Sequence, residues 1–167
     1  ECGLACLAMI AGHHGHRSDL TELRRRFGLS LKGATLKDIV GMADQLGLAS
    51  RPVRLELEEL RLLKTPCILH WDLNHFVVLK SASRNGLVIH DPGVGVRRLS
   101  LSEVSRHFTG VALEFTPVGG FEPAQAAPRV RLRALLGRMV GRKRSLGQLF
   151  LLALALGERL QPGALDY

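Results

Sequence analysis

The sequence contains few aromatic residues, and none of its apolar runs is long enough to cross a bilayer. Phe, Trp and Tyr together make up 5% of the 167 residues. The apolar stretch from Leu146 to Leu156 has eleven residues and is broken by Gly147 and Gln148, whereas a membrane-spanning helix needs about 20. Hydrophobic residues nevertheless make up 46% and charged residues 23%, which is a globular composition. This composition excludes disorder of the whole chain and fibrous repeats.

Cysteine is also scarce, and the sequence contains neither a disulfide framework nor a recognised zinc motif. Cys2, Cys6 and Cys67 are odd in number, fit no disulfide framework and form no CxxC motif, so we expect a reducing, cytoplasmic environment. No HExxH motif is present, and the sequence HHGH at residues 13–16 matches no zinc pattern. We interpret these histidines as polar residues at the end of a helix, where the helix dipole favours them, and predict no metal.

Positive charge is concentrated in the C-terminal part of the chain. The net charge is +8, of which residues 1–128 carry +2 and residues 129–167 carry +6. A basic run of this kind can bind nucleic acid, but this one has no interleaved aromatic residues and leads into the apolar stretch. That order is typical of the cytoplasmic flank of a membrane helix. We therefore predict a basic linker over 119–144 and a truncated or aberrant start of a first transmembrane helix over 145–167; an amphipathic surface helix is the alternative.

The first 118 residues change from a helical to a strand-like pattern. Small and apolar residues from Cys2 to His14 predict a buried helix, and capping signals at Asp19 and Thr35 begin two more. Strand candidates follow in the segments CILHW, HFVVLKS, LVIH and VALEF, with a short helix, LSEVSRHF, predicted before the last one. Helices followed by an antiparallel meander indicate an α+β domain over residues 1–118.

A cysteine, a histidine and an aspartate in this domain have the chemistry of a nucleophilic site. Cys2 lies at the start of the first predicted helix, where backbone amides and the helix dipole stabilise a thiolate, and Gly3 leaves room for a substrate backbone. His75 begins the strand HFVVL and is the candidate base. Asp91 follows LVIH, so pairing of these two strands across the Arg84-Asn85-Gly86 turn would bring it to His75. There it would orient the imidazole ring.

Each of these residues also has a purely structural interpretation. A cysteine on an apolar helix is commonly a small core residue, which is how we interpret Cys6 and Cys67. An aspartate before a proline, such as Asp91, is commonly a turn former. Three further histidines are interpreted as structural: His70, His90 and His107. The combination of a cysteine, a histidine and an aspartate favours catalysis over three separate structural roles.

Five segments, in order from Glu1 to about Pro117, carry a resemblance to a known family: ECGLACLAMI, HGHRSDLTELRRRF, SLKGATLKDIV, TPCILHWDLNHFVVL and VIHDPGVGVRRLSLSEV. Together they resemble the N-terminal peptidase domain of bacteriocin-processing ABC exporters. The nucleophile motif of the family, an acidic residue followed by Cys-Gly-x-Ala, matches residues 1–5. Its catalytic histidine opens a His-Phe-Val-Val strand, which matches His75, and its aspartate lies in an Asp-Pro motif, which matches Asp91.

The resemblance implies a papain-like cysteine peptidase that cuts a leader peptide after a double glycine. It implies that an attached transporter exports the mature peptide, with a dimeric exporter in the bacterial inner membrane and the peptidase domain on its cytoplasmic side. The peptidase domain itself would need no cofactor, since ATP and Mg²⁺ belong to the nucleotide-binding domain of the parent protein. The leader helix would lie in an apolar groove.

Two departures from the family pattern leave other interpretations open. The oxyanion-hole Gln of the family precedes the nucleophile and would lie upstream of Glu1, so we expect a chain that begins at Glu1 to be a poor catalyst. At the C-terminus, Arg142 to Leu156 resembles the entry to a first transmembrane helix, but GERLQPGALDY does not continue it. No Walker motif is present, so we expect no ATPase or export activity here. The alternatives are a catalytically inactive docking domain that binds the export substrate, which the presence of Cys2 disfavours, and an idle fragment of a broken gene.

Overall fold

The computed structural model describes residues 1–28, 33–119, 121 and 148. The chain divides into two compact units, Glu1–Ala127 and Pro128–Tyr167, and nearly all described residues belong to the first. The linker predicted over 119–144 and the membrane helix predicted from 145 lie outside the described residues, apart from Gly119, Phe121 and Gln148. Within the described ranges, no helix is both long enough and apolar enough to span a bilayer.

Three helices open the chain, and two of them begin at side-chain caps that the sequence predicts. Their bounds are Cys2–His13 for α1, Leu20–Phe27 for α2 and Leu36–Gln45 for α3. Asp19 caps α2 by accepting a hydrogen bond from the backbone N–H of Thr21 at 2.9 Å. Thr35 and Asp38 form a reciprocal capping box at the start of α3. These caps satisfy backbone donors that a first helical turn leaves unpaired, so both helix starts are fixed by local sequence.

In the part of the chain that the structure describes, six strands then form one antiparallel sheet. Their bounds are Leu48–Arg54 for β1, Cys67–Trp71 for β2, His75–Ser83 for β3, Gly86–Asp91 for β4, Gly95–Leu99 for β5 and Phe108–Pro117 for β6. A 3-10 helix, Leu57–Leu62, precedes β2, and a one-turn helix α4, Leu101–Val104, precedes β6. The strand order is β1-β6-β2-β3-β4-β5, so β6 returns to pair between β1 and β2. The predicted α+β class is confirmed.

The helix predicted over 101–108 is shorter in the structure. Ser100 and Glu103 form the capping box that the sequence indicates, but the helix ends at Val104. Phe108 already belongs to β6, where it pairs with Trp71 of β2. Pairing with a strand distant in sequence therefore overrides the local helical pattern at this end.

Alternation along the strands gives the sheet a separate apolar core on each face. α1 and α3 cover one face. The largest fully buried side chains of that core include Leu4, Leu7, Ile10, Ile39, Leu48 and Ile68. The other face carries a second core, which includes Leu60, Leu69, Trp71, Leu79, Leu87 and Val104. Cys2 packs against the first core and Phe76, which follows His75, belongs to it, so the starts of α1 and β3 meet there.

Candidate active site

Cys2 is the first residue of α1, and its side chain is half-buried. The preceding residue, Glu1, does not cap the helix with its side chain; its carboxylate pairs instead with Arg24 at 3.1 Å. The first-turn N–H groups of α1 therefore have no side-chain cap from Glu1, and they present the positive end of the helix dipole beside the Cys2 thiol.

The helix that carries Cys2 is tied to the strand that begins with His75. α1 packs against β3. One helical turn after Cys2, the thiol of Cys6 donates a hydrogen bond to the backbone carbonyl of Phe76, with a sulfur–oxygen distance of 3.3 Å. Residues four apart lie on the same helix face, and Phe76 follows His75 directly. This contact therefore fixes the first two turns of α1 next to the start of β3.

Gly3 is the second residue of α1 and is buried, and its packing favours a residue without a side chain. A Cβ atom at this position would lie 2.8 Å from Cδ1 of Ile39 and 3.4 Å from Cβ of Ala34. The first distance is shorter than real Cβ contacts, so a side chain at position 3 would require the Ile39 side chain of α3 to shift. The predicted contact of Gly3 with a substrate backbone stays a prediction.

His75 and Asp91 lie together at one edge of the sheet. β3 and β4 pair antiparallel with Val78 opposite His90, so Asp91 at the end of β4 comes level with Val77, two residues from His75 and on the same face of the sheet. Nε2 of His75 lies 3.2 Å from Oδ1 of Asp91, and their side chains are 28% and 9% exposed. The hairpin register predicts this proximity, and the structure shows it.

Asp91 is held as a carboxylate by its surroundings. Its Oδ1 also accepts a hydrogen bond from the backbone N–H of Gly93 at 2.8 Å. Burial alone raises the pKa of Asp91, but the hydrogen bond from Gly93, the contact with His75 and the N–H of Val94 outweigh burial, so the pKa is lowered. An ionised Asp91 requires His75 to keep a proton on Nε2, which leaves Nδ1 as the ring nitrogen that can take a proton from a nucleophile.

The other two cysteines are inert core thiols, as predicted. Cys6 and Cys67 are free of disulfides and fully buried. Burial and, to a smaller extent, the charges of Cys2 and Asp91 raise the pKa of Cys6. Burial and the charge of Glu114 raise the pKa of Cys67 to about 12. Both thiols therefore stay protonated at neutral pH, so Cys2 is the accessible cysteine of the domain.

The histidines near the end of α1 make ring contacts with one another and with Phe121. The rings of His13 and His14 meet edge to face at 5.1 Å, and those of His14 and His16 lie 6.2 and 5.9 Å from Phe121. Burial, together with the charges of His13 and Lys64, lowers the pKa of His14. Across the described residues, no group of three or more His, Cys, Asp or Glu side chains is arranged to hold a metal ion.

Two further histidines contact the turn between β2 and β3, which directly precedes His75. Nε2 of His70 lies 3.0 Å from the carbonyl oxygen of Leu73, and Nδ1 of His107 lies 2.7 Å from Oδ1 of Asp72. The sequence gives no signal for the first contact, since its acceptor is a main-chain atom. His90, by contrast, lies in register between Val78 and Val96 on β4.

The geometry fits a known family of peptidases. Residues 1–119 match the Peptidase C39 family. The chain belongs to this family. It is a family of cysteine peptidases, which agrees with a partly accessible Cys2 on a helix that packs beside a His–Asp pair.

Relatives and solved structures of the Peptidase C39 family agree with this assignment. The chain is 55% identical over 156 residues to the colicin V secretion/processing ATP-binding protein CvaB of Escherichia coli. The aligned region covers 93% of this chain and 22% of that protein. It therefore spans about a fifth of the length of this relative. A crystal structure of a double glycine motif protease from an AMS/PCAT transporter, in complex with the leader peptide, has a TM-score of 0.66 at 36% identity and covers 71% of this chain and 85% of its own.

The peptidase domain of Streptococcus ComA, a bi-functional ABC transporter involved in a quorum-sensing pathway, is also similar. It has a TM-score of 0.63 at 31% identity, over 70% of this chain and 91% of that domain. The predicted papain-like fold is thereby confirmed. The family match over residues 1–119 lies within the first compact unit, which contains the His–Asp pair.

Proposed function

We propose that this chain is a cysteine endopeptidase that cleaves leader peptides after a Gly-Gly motif. Cys2 acts as the nucleophile, His75 as general base and acid, and Asp91 as the group that orients His75. One observation carries the proposal: Nε2 of His75 lies 3.2 Å from the buried Asp91 at the strand end beside the start of α1. The names of the similar proteins support the substrate class, since one is a double glycine motif protease bound to a leader peptide.

The reaction follows from the protonation states of the pair. Nδ1 of His75 takes the proton of the Cys2 thiol, and the thiolate attacks the carbonyl carbon of the second leader glycine. The C–N bond breaks as His75 returns the proton to the leaving amine, and a thioester with Cys2 remains. His75 then takes a proton from water, whose oxygen attacks the thioester; the C–S bond breaks, the leader acid leaves, and His75 returns the proton to the sulfur of Cys2. Throughout, Asp91 stabilises the imidazolium form of His75.

The developing oxyanion needs hydrogen-bond donors close to Cys2. The uncapped first-turn N–H groups of α1 are suitable donors. The family resemblance adds a Gln side chain that precedes Glu1 by a few residues. Losing one such donor costs about 10²- to 10³-fold in rate, so the assays below use the chain together with its preceding residues.

Specificity and partners follow from the same resemblance. A cleft beside Cys2 that is too narrow for any Cβ atom would select two glycines before the cut bond, and an apolar groove would hold the helical part of the leader. The parent protein would be an ABC exporter, since relatives are secretion/processing ATP-binding proteins. Its transmembrane and nucleotide-binding domains, the latter with ATP and Mg²⁺, would form a dimer in the bacterial inner membrane with this domain on the cytoplasmic side.

The decisive experiment compares two cysteine substitutions on a peptide that carries a Gly-Gly leader. Cys2→Ala is expected to abolish cleavage, because the alanine has no nucleophile. Cys67→Ala is the matched control: it removes a buried thiol of the second core and should keep cleavage, at some cost in stability. Mass spectrometry of the products identifies the cut bond. Cleavage by Cys2→Ala at the wild-type rate contradicts the proposal, and tight peptide binding without cleavage by the wild type favours the docking domain.

A further inference from the structure

The turn that leads into His75 has an unusual backbone conformation. Asp72, Leu73 and Asn74 connect β2 to β3, and both Asp72 and Leu73 have positive φ angles, 48° and 64°. Left-handed backbone is unfavourable for residues other than glycine, above all for Leu73, and it persists where the surroundings enforce it. The side chain of Leu73 is 81% exposed, so apolar packing does not supply that force.

A hydrogen bond from His70 holds Leu73 in this left-handed conformation. A carbonyl oxygen can only accept, so Nε2 of His70 donates to the oxygen of Leu73 at 3.0 Å. The other ring nitrogen, Nδ1, lies 2.7 Å from Oγ1 of Thr109 on β6, and that hydroxyl lies 3.2 Å from the carbonyl oxygen of His70. The imidazole ring of His70 therefore links the strained turn to a neighbouring strand.

The linkage does not depend on the charge of His70. When the ring is neutral, the Thr109 hydroxyl donates to Nδ1; when it is protonated, Nδ1 donates to that hydroxyl, which turns its own hydrogen to the carbonyl of His70. In both states Nε2 keeps the hydrogen that binds Leu73. The ring also lies against the side chain of Phe76, at a centroid distance of 5.2 Å.

The same turn is held at its first residue by His107. The backbone N–H of Asp72 donates to the carbonyl of His107 at 2.9 Å, and Nδ1 of His107 donates to Oδ1 of Asp72 at 2.7 Å. Asp72 is thus bound by His107, which directly precedes β6, and Leu73 is bound by His70 of β2. His75 begins two residues after Leu73, so the path of this turn determines where its ring starts.

We infer that His70 is a positioning residue of this peptidase, which holds the turn before His75 so that the imidazole of His75 reaches Cys2. The inference rests on the proposed function. His70 acts through the Leu73 carbonyl and the backbone of the turn, and it touches neither the substrate nor Asp91. Its loss lets Leu73 relax toward ordinary backbone angles, which moves His75 away from the thiol. A displacement of about 1 Å at a reacting group costs about 10²-fold in rate.

Two variants test this role, His70→Leu and Thr109→Val, and each has a matched control. In His70→Leu, which keeps the bulk of the ring, kcat is expected to fall by about tenfold or more while KM stays within about twofold. In His70→Gln, whose amide nitrogen can take the place of Nε2, most of the loss should be restored. Thr109→Val removes only the hydroxyl and should give a smaller fall in kcat. Thr116→Val on the exposed end of the same strand should leave kcat unchanged.

A second measurement separates positioning from general destabilisation. The alkylation rate of Cys2 by iodoacetamide, followed by mass spectrometry well below the melting temperature, reports how well His75 takes the thiol proton. It should fall in His70→Leu together with kcat and recover in His70→Gln. Cys6 and Cys67 are buried and provide an internal control for unfolding, since their alkylation must stay absent.

Several results would overturn the inference. It is wrong if a folded His70→Leu protein keeps the wild-type kcat, if only KM changes, or if His70→Gln is as impaired as His70→Leu. Should His70→Leu not fold, Thr109→Val gives the answer: an unchanged kcat and an unchanged Cys2 alkylation rate contradict the role. A wild-type protein that fails to cut the Gly-Gly peptide contradicts the proposed function instead, while the alkylation rates still decide the role of His70.

Discussion

Two histidine–aspartate pairs occur in the described part of the chain, and the shorter one is not the candidate site. His107 and Asp72 lie 2.7 Å apart with side chains 39% and 48% exposed. His75 and Asp91 lie 3.2 Å apart with side chains 28% and 9% exposed. We call His75–Asp91 the inner pair and His107–Asp72 the outer pair. The inner pair is more buried and lies beside the helix that carries Cys2. Distance alone therefore does not identify the candidate pair. Burial and a neighbouring cysteine favour His75 and Asp91.

The two pairs differ in what surrounds the carboxylate. Asp91 accepts two hydrogen bonds on one oxygen, from His75 and from the Gly93 N–H, so its orientation is fixed from two sides. Asp72 lies on an exposed turn, where water screens the pair and such contacts contribute little free energy. The outer pair contacts the turn between β2 and β3, whereas the carboxylate of the inner pair keeps a proton on Nε2 of His75.

The largest expected difference between the pairs is in catalysis. Asp91→Asn keeps the shape of the side chain and removes its charge, so the imidazolium form of His75 loses its stabilisation. We expect kcat to fall by about 10²- to 10⁴-fold. Asp72→Asn is the matched control, because asparagine also tolerates the left-handed backbone, and its kcat should fall by less than about tenfold. Both are measured as cleavage rates of a Gly-Gly leader peptide.

The comparison fails if the two substitutions have equal effects. Equal large losses would mean that the outer pair takes part in the reaction as directly as the inner one. Equal small losses would mean that His75 works without Asp91. Circular dichroism of both variants is needed beside the rates, since either substitution can lower stability.

Much of the fold could be predicted from local sequence. The capping boxes at Thr35 and Ser100 begin helices as expected, and the segment CILHW is β2 residue for residue. The position of β6 between β1 and β2 was not predicted, because such pairing joins segments far apart in the chain and leaves no local pattern. The same pairing ends α4 at Val104, before the predicted end.

The site shows the same division between local and distant information. One hairpin and its register are enough to bring His75 to Asp91, so this proximity could be predicted. The contacts of His70 could not, because one partner is the main-chain carbonyl of Leu73 and the other, Thr109, lies 39 residues away. For Gly3, sequence reasoning suggested space for a substrate, whereas the structure shows close packing against α3.

Acid should weaken the inner pair in a way that the Asp91→Asn variant reveals. The folded-state pKa of Asp91 is lowered from 3.8, so its carboxylate contributes stability at neutral pH that is lost as the pH falls through the folded pKa. We expect Asp91→Asn to melt a few degrees below the wild type at pH 7. The difference should narrow once the pH falls below 3.8. Thermal melts across this range provide the measurement.

A control variant shows whether His75 causes this pH dependence. In a His75→Ala background, Asp91 keeps its hydrogen bond from Gly93 but loses its partner ring. The effect of Asp91→Asn on the melting temperature at pH 7 should then be smaller than in the wild type. A difference in melting temperature that is constant from pH 7 to pH 3 would show that the charge of Asp91 does not stabilise the fold.

The smallest expected effect is on stability and concerns the packing around Gly3, the residue after Cys2. Gly3→Ala introduces a Cβ atom 2.8 Å from Cδ1 of Ile39, and we expect it to lower the free energy of unfolding by about 1–3 kcal/mol. Ile39→Val removes that Cδ1, so the double variant should be more stable than the sum of the single changes predicts. Urea unfolding measures both.

The same substitution further along α1 separates packing from helix propensity. Gly12→Ala meets no atom within 4 Å, so alanine there should stabilise the protein by up to about 1 kcal/mol. If Gly3→Ala behaves like Gly12→Ala, Ile39 does not require a glycine, and space for the substrate becomes the better reason for Gly3. If instead Gly3→Ala also lowers kcat and Ile39→Val restores it, the packing of α3 against the start of α1 is what keeps the Cys2 thiol within reach of His75.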